Sequence, residues 1–295
     1  MSYYANPRIP EDLSSSNEKH LRSFLKTGLK ILGVIAAFLL ILDIGTRVLA
    51  PLLPFSWERK LTPESLVRTL AEAEGGPPAL ELELNKLGQR LAANMDLPPD
   101  MELTFHYSPG STVNAFATLG GNIIVFQGLI DQMESEDALA AVLAHEIAHI
   151  KHRDMIKGLM RAAGLIVVST ALGSADSSSG LSQGAMQLGV LSYSRGQESS
   201  ADVAATVALG RVYGHSQGFE DCFTALIKAA GGRDLPEILS SHPDSRKRIE
   251  KSQKTAAKYG FPATGPTRPL APAFLAAKSK AKAEDKSQDG TAAEP

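Results

Sequence analysis

Residues His145–His149 read H-E-x-x-H, a spacing that suits metal binding. Side chains four residues apart project from the same face of a helix, so the imidazoles of His145 and His149 can reach one ion. Glu146 lies beside that face, where its carboxylate can hydrogen-bond a metal-bound water and act as a general base. The alternative is a coincidental pair of surface histidines, and a chain with seven histidines has few chances of producing one. The pattern therefore predicts a hydrolytic metal site.

A hydrolytic zinc ion takes three protein ligands and keeps a fourth position for water. The residue six positions after His149, where some zinc peptidases have a third histidine, is Met155. Glu198 and Asp202 are four residues apart in another helical pattern, so one carboxylate can bind the metal while the other orients a ligand histidine. We expect Glu198 to be the third ligand, with a solvated acidic helix start as the alternative. The single cysteine, Cys222, excludes an internal disulfide and a cysteine-rich zinc site.

The elements around these residues predict a mainly helical fold with a small β-sheet, of the α+β class. Ser135 can cap the helix that carries the motif, and the apolar residues of that helix fall on one stripe. Further helical patterns cover residues 66–70, 80–91, 198–209, 219–229 and 246–254. Strand-like runs cover residues 102–107, 113–118 and 123–127, and a Gly-Gly-Asn turn between the last two predicts a hairpin. An apolar run at 162–173, followed by a Ser/Gly-rich stretch at 174–184, predicts either a mobile cover near the cleft or a core helix with a surface loop.

The N-terminal region predicts membrane attachment. Residues 1–30 are polar and basic, and every residue from Ile31 to Leu42 is apolar or glycine. Extending the segment from Lys26 to Arg47, with Lys30 reaching back to the interface, makes it long enough to span a bilayer. A cleaved signal peptide and a buried core helix are the alternatives. The weak excess of basic residues before the segment favours a cytoplasmic N-terminus and a periplasmic or otherwise non-cytoplasmic catalytic domain.

Composition supports one sizeable globular domain between two unlike ends. The chain is 43% hydrophobic and 21% charged, and its net charge of −2 indicates no nucleic-acid surface. After Gly260 the sequence is rich in Pro, Ala and Lys, which is typical of disorder. We therefore expect a polar tail at residues 1–30, a membrane anchor at 31–53, a zinc peptidase domain at 55–260 and a disordered tail at 261–295.

Several motifs in a fixed order carry a resemblance that covers roughly residues 60–255. They are His145-Glu146-x-x-His149, Glu198-x-x-Ala201-Asp202, His242-Pro243, Arg248-Ile249, and Asn114-Ala115-Phe116 ahead of Gly120-Gly121. In this set the chain resembles the gluzincin metallopeptidases that include the CAAX prenyl protease, HtpX, BepA, LoiP and the mitochondrial overlapping-activity peptidase. The chain has one apolar N-terminal segment and no helical-repeat region, so it is most similar to single-anchor or peripheral members.

This resemblance implies one zinc ion per subunit with Glu198 as third ligand, and a substrate strand at Asn114, Ala115 and Phe116. It also implies that His242 lies at the cleft. There His242 can close the open zinc position or stabilise the oxyanion, whereas a purely local interpretation makes it the entry to helix 246–254. The expected activity is zinc-dependent hydrolysis of peptide bonds in proteins, in quality control at the membrane or cell envelope. A metal-binding chaperone on the same scaffold, and a structural membrane protein, are the alternatives.

Overall fold

The computed structural model describes residues 13–71, 77–171, 193–230, 238 and 245–278 of the 295-residue chain. The chain divides into two compact units, Met1–Leu49 and Ala50–Pro295. The predicted loop at 174–184 and His242 lie outside the described residues.

The described part of the first unit is one long helix, α1 (Leu13–Leu49). The stretch His20–Leu52 is long and apolar enough to cross a membrane, judged by length and composition alone. No residue of its most apolar window is buried, which disfavours the alternative of a buried core helix. A signal sequence near the N-terminus would have the same character, so both of the other interpretations stay open.

The second unit is mainly helical, as the sequence predicts. The helices at 66–70, 80–91, 198–209, 219–229 and 246–254 are all confirmed, as is the helix that carries the motif. The helices of this unit whose ends are described are α2 (Phe55–Leu61), α3 (Glu64–Leu70), α4 (Pro78–Ala92), α5 (Gln127–Gln132), α6 (Glu136–Lys151), α7 (Asp154–Ala171), α8 (Arg195–Tyr213), α9 (Gln217–Ala230) and α10 (Ser245–Lys258).

Three short strands form a mixed sheet in the order β1-β3-β2. The strands are β1 (Thr104–Ser108), β2 (Ala115–Ala117) and β3 (Asn122–Phe126). β1 is parallel to β3, and β2 is antiparallel to β3 in the predicted hairpin. Gly120 and Gly121 make the turn with φ of 76° and 86°, a region that side chains disfavour. Among the described residues, this order leaves β2 at one edge of the sheet.

Helix α6 runs through the centre of the second unit. Ser135 caps it, because its hydroxyl accepts a hydrogen bond from the Ala138 N–H at 3.1 Å. Every residue from Asp137 to Ile150 is buried, and α8, α9, α4 and the sheet pack around the helix. A helix that is enclosed on all sides positions its histidines rigidly, and it presents them to neighbours rather than to solvent.

The predicted disordered tail from residue 261 is wrong for residues 261–278. Leu270 and Phe274 are buried in the main core, and residues 272–278 are helical. The Pro262 carbonyl accepts a hydrogen bond from the Ser216 N–H at 3.0 Å, and the Arg268 N–H donates to Asp137 Oδ2 at 3.0 Å. Two well-placed apolar side chains and these backbone bonds hold the segment, although its average composition is typical of disorder.

A buried ion pair ties α2 to the turn after α6. Arg153 Nε lies 2.5 Å from Glu58 Oε1, and its Nη1 donates to the Leu53 carbonyl at 3.0 Å. The other carboxylate oxygen of Glu58 accepts a 3.4 Å hydrogen bond from the Gly120 N–H of the hairpin. Burial raises the pKa of Glu58, although Arg153 opposes the shift. Glu58 therefore joins the hairpin to the residue that directly precedes Asp154.

Glu58→Ala is expected to lower the free energy of unfolding by about 3–5 kcal/mol, because it leaves the Arg153 charge buried without its partner. Chemical denaturation of the full chain in detergent measures the change. The matched control is Glu64→Ala, which removes the exposed partner of Arg68 on α3 and should change stability little. Equal effects of the two substitutions would contradict the assignment of Glu58 as a structural clamp.

Candidate metal centre

The structure brings together the three side chains predicted as metal ligands. His145 and His149 project from α6, and Glu198 projects from the first turn of α8. One ligand atom from each lies within 4.8 Å of the other two, and all three residues are buried. The two Nε2 atoms are 3.1 Å apart, and the Glu198 oxygens lie 3.5 Å from His145 Nε2 and 3.4 Å from His149 Nε2. These three residues form a candidate metal site.

A carboxylate lies against the second ring nitrogen of each histidine. His145 Nδ1 is 3.1 Å from Asp202 Oδ1, and His149 Nδ1 is 2.9 Å from Asp154 Oδ2. In the tautomer with the proton on Nδ1, both rings donate to these carboxylates, and both Nε2 lone pairs face the shared centre. The structure therefore gives Asp202 the position that the sequence predicts. Asp154 was not predicted, and its only local signal is its place five residues after His149.

Arg248 of α10 holds the two carboxylates of the α8 segment together. Its Nε–H and one Nη2–H donate to the two oxygens of Asp202 at 2.9 and 2.6 Å. Nη1 lies 3.1 Å from Glu198 Oε2, and the guanidinium carbon lies 4.6 Å from the Phe223 ring centroid. This bidentate geometry fixes the carboxylate planes. The sequence singled out Arg248 only as part of a resemblance and indicated no role for it.

Glu146 is fully buried and is oriented by the sheet. The Ala117 N–H of the edge strand β2 donates to Glu146 Oε2 at 2.8 Å. The predicted substrate strand thus lies beside the predicted general base. Within that strand Asn114 and Ala115 are buried, and Phe116 is half-buried with its ring 6.0 Å from that of Phe126.

Tyr193 is a further residue of the site that sequence reasoning missed. Its ring stacks on His149 with centroids 3.7 Å apart and planes inclined by 9°, and its hydroxyl lies 3.0 Å from Met155 Sδ. Burial and the nearby carboxylates raise the pKa of Tyr193 well above its usual value, so the phenol stays neutral. Tyr193 precedes α8 in a stretch without helical periodicity, and no sequence signal marks it.

The charges of the described residues at this centre favour a divalent cation. Four carboxylates are buried at this centre, those of Glu146, Asp154, Glu198 and Asp202. Arg248 contacts Glu198 and Asp202, and Lys157 Nζ lies 3.7 Å from Asp154. Buried negative charge is costly unless it is compensated, so these carboxylates and the donor set of two imidazoles and one carboxylate fit a bound dication.

Hydrogen bonding inside the cluster shifts several pKa values. Burial lowers the pKa of His145, but hydrogen bonds to Asp202 and Glu198 outweigh burial and raise the pKa to about 9. Burial raises the pKa of Asp202, yet His145 and Arg248 leave that pKa below its ordinary value. Burial also raises the pKa of Asp154, but the hydrogen bond to His149 leaves that pKa below its ordinary value. The orienting carboxylates are therefore ionised at neutral pH.

The sequence of this chain is similar to that of a known protein family. The chain matches the model of peptidase family M48 over residues 78–256. It is 33% identical over 160 residues to the mitochondrial metalloendopeptidase OMA1 of Schizosaccharomyces pombe, covering 52% of this chain and 47% of that protein. It is 29% identical over 196 residues to the beta-barrel assembly-enhancing protease of Yersinia pestis, covering 61% of this chain and 39% of that protein.

A third relative matches over more of its own length. The chain is 28% identical over 249 residues to a protease HtpX homolog of Desulfatibacillum aliphaticivorans, covering 70% of this chain and 79% of that protein. It spans less than half the length of the first two relatives. The family match covers more than half of the chain and includes all three residues of the candidate metal site. The predicted resemblance is thereby confirmed: this chain belongs to peptidase family M48.

Proposed function

We propose that this chain is a zinc-dependent endopeptidase in which His145, His149 and Glu198 hold one zinc ion and Glu146 is the general base. The observation that carries the proposal is the arrangement of two imidazoles and one carboxylate, each within reach of one point. Both imidazoles are backed by a carboxylate. Two nitrogens and one oxygen are a ligand set found in catalytic zinc sites, which keep a position for water. The only thiol of the chain, that of Cys222, is buried and does not belong to this group of ligands.

In the proposed reaction a zinc ion would lower the pKa of its water toward ~7 and polarise the peptide carbonyl. Glu146 would take a proton from the attacking water as the water oxygen bonds to the carbonyl carbon, and would pass that proton to the nitrogen that leaves when the C–N bond breaks. The Ala117 N–H holds the Glu146 carboxylate in position for both transfers. Asp202 and Asp154 fix the histidine rings, and Arg248 fixes Asp202 and Glu198. The site therefore enters the reaction already organised.

The proposed substrate is an extended peptide or protein segment that adds to the edge of the sheet. β2 is an edge strand, and its Ala117 N–H reaches Glu146, so a peptide alongside it would pass the base. Pairing of this kind is made by main-chain hydrogen bonds and reads the backbone more than the side chains. Asn114, Ala115 and Phe116 would be the strand residues involved. The cleft roles of His242 stay predictions, because that residue lies outside the described part of the chain.

Asp154→Ala and Asp202→Ala are each expected to lower zinc affinity or peptide cleavage by about 10- to 100-fold, as loss of a histidine-orienting carboxylate does. Competition with a fluorescent chelator measures the affinity. Asp96→Ala is the matched control, because Asp96 is an exposed carboxylate paired with Arg211. If Asp202→Ala lost all metal, as Glu198→Ala is expected to do, the ligand and orienting roles would be wrongly assigned.

The proposed setting is protein quality control at a membrane or in the cell envelope. The candidate span at the N-terminus supports anchoring, and the basic residues before it favour a periplasmic catalytic domain. One relative is named for the assembly of β-barrels and another for mitochondria. We infer an anchor at 31–53, or a signal peptide that is removed, and a peptidase domain that extends from 55 beyond 260. The side is tested by introducing a cysteine near residue 280 and labelling it from outside intact cells. If the cysteine is labelled only after lysis, the catalytic domain is not periplasmic.

Cleavage of casein by the purified full-length chain tests the function. The proposed function requires cleavage that stops with a chelator and returns with zinc. Suppression of aggregation without cleavage would instead support the chaperone alternative. Cleavage that survives complete removal of metal would contradict a zinc mechanism.

A further inference from the structure

The two helices that follow the candidate span expose large apolar side chains. Trp57 and Leu61 of α2 are each 56% exposed, and Leu66 and Leu70 of α3 are 43% and 39% exposed. We refer to these four residues as the apolar patch. Among the described residues from 77 onward, the exposed large apolar side chains are scattered along the chain: Leu82, Val167, Val203, Tyr259 and Leu275. Exposed large apolar side chains of the domain are therefore concentrated on α2 and α3, the two helices that follow the end of the span.

Each of these helices has apolar residues on two faces. In α2, Phe55 and Glu58 are buried against the domain, while Trp57 and Leu61, four residues apart, share another face. In α3, Val67 is buried, while Leu66 and Leu70 repeat the four-residue spacing. The inner faces are explained by packing within the domain. The outer faces have no such explanation, and exposed apolar side chains on two successive helices indicate a contact with a membrane or another protein.

The short connection between the candidate span and α2 indicates that the apolar patch contacts a membrane. The candidate span ends at Leu52, and Trp57 follows five residues later, so their Cα atoms are at most roughly 18 Å apart. The polar region of a bilayer extends several Å beyond the hydrocarbon, so a spanning helix would hold Trp57 close to it. Tryptophan is enriched at that depth because its ring is apolar and its indole N–H is polar. Lys60, exposed on the same helix, can meet lipid phosphates.

We propose that the apolar patch inserts into the interfacial layer of the bilayer that holds the N-terminal span. The inference rests on the proposed anchor and adds a second, shallow contact from the peptidase domain itself. The inner face of α2 holds Arg153 through Glu58, one residue before Asp154 of the metal centre. A membrane contact through α2 would thus be linked to the metal centre through the Glu58–Arg153 ion pair. The substrates that suit this arrangement are protein segments at the membrane surface.

The chain has a single tryptophan, so Trp57 is its own probe. The full chain is reconstituted into vesicles of phosphatidylcholine and phosphatidylglycerol with bromine atoms near the headgroup end of the acyl chains. Trp57 fluorescence should be quenched by these lipids and protected from acrylamide in the water phase. The control is the double variant Trp57→Phe/Tyr259→Trp, which moves the only indole to an exposed position after α10. Its fluorescence should respond to acrylamide and ignore the brominated lipid.

A second variant separates the patch from the anchor. Leu61→Glu/Leu66→Glu alters two exposed residues, so the domain should fold, float with vesicles and cleave a soluble peptide normally. Its Trp57 quenching by brominated lipid should be lost. If the native chain floats but Trp57 ignores the lipid, the proposal is overturned. A blue-shifted, acrylamide-protected Trp57 without lipid quenching would overturn it too, because a second copy or another protein segment then covers the patch. If the native chain does not float with the vesicles, the proposed anchor is wrong and this proposal fails with it. Cleavage in detergent would still support the proposed peptidase function.

Discussion

Glu146→Gln should lower kcat by about 10²- to 10⁴-fold, the range expected for loss of a general base, while the metal stays bound. The amide has the shape of the carboxylate and can still accept the hydrogen bond from the Ala117 N–H, so the local structure should persist. It cannot take the proton of the attacking water. Initial rates on a fluorogenic peptide, together with metal content per chain, measure both parts of the prediction.

The exposed Glu64→Gln on α3 is the control for the Glu146 variant and should cleave normally. Wild-type cleavage by Glu146→Gln would exclude the base role. Loss of metal from that variant would mean that the carboxylate supports the site rather than the proton transfer. Retained metal with lost cleavage separates catalysis from binding.

His149→Ala should remove the metal and with it the activity. The substitution deletes one of three ligands, and it also leaves Asp154 without the imidazole at 2.9 Å and Tyr193 without its stacking partner. The effect should exceed the roughly 10- to 100-fold loss expected when only an orienting carboxylate is removed. Metal analysis after dialysis, followed by the peptide assay, records both losses.

His106→Ala is the matched control for His149→Ala. His106 is half-buried in β1 and hydrogen-bonds Asn122 at 2.9 Å, outside the metal cluster. The control should therefore keep its metal. One tightly bound metal per chain in His149→Ala would show that the ligand set is wrong.

The parts of the site that follow local periodicity could be predicted from the sequence. His145 and His149 share a helix face because their spacing is four, and any helix there would bring them together. Glu198 and Asp202 follow the same rule on a second helix, and the resemblance connected the two helices. The hairpin between β2 and β3 was predicted because its Gly-Gly-Asn turn has a strong local signal.

The missed residues depend on packing between elements far apart in the sequence. Arg248 lies 46 residues after Asp202, and only the docking of α10 against α8 brings them together. Asp154 meets His149 because the chain turns sharply at Arg153, which has a φ of 59° that is unusual for a residue with a side chain. The packing of 261–278 was missed because composition averages hide individual anchors such as Phe274. Tertiary contacts between residues far apart in the chain produce no periodic pattern in the sequence, so periodicity could not predict them.

Zinc-edge X-ray absorption on the full chain, loaded with one equivalent of zinc, tests the central claim that His145, His149 and Glu198 hold the metal. We expect scattering from two imidazoles with nitrogen at about 2.0–2.1 Å, together with oxygen at about 2.0–2.2 Å and no sulfur. His149→Ala, if it retains any zinc, should lose one imidazole contribution. A sulfur neighbour at about 2.3 Å would place Cys222 on the metal and exclude this ligand set, as would a shell of oxygen alone.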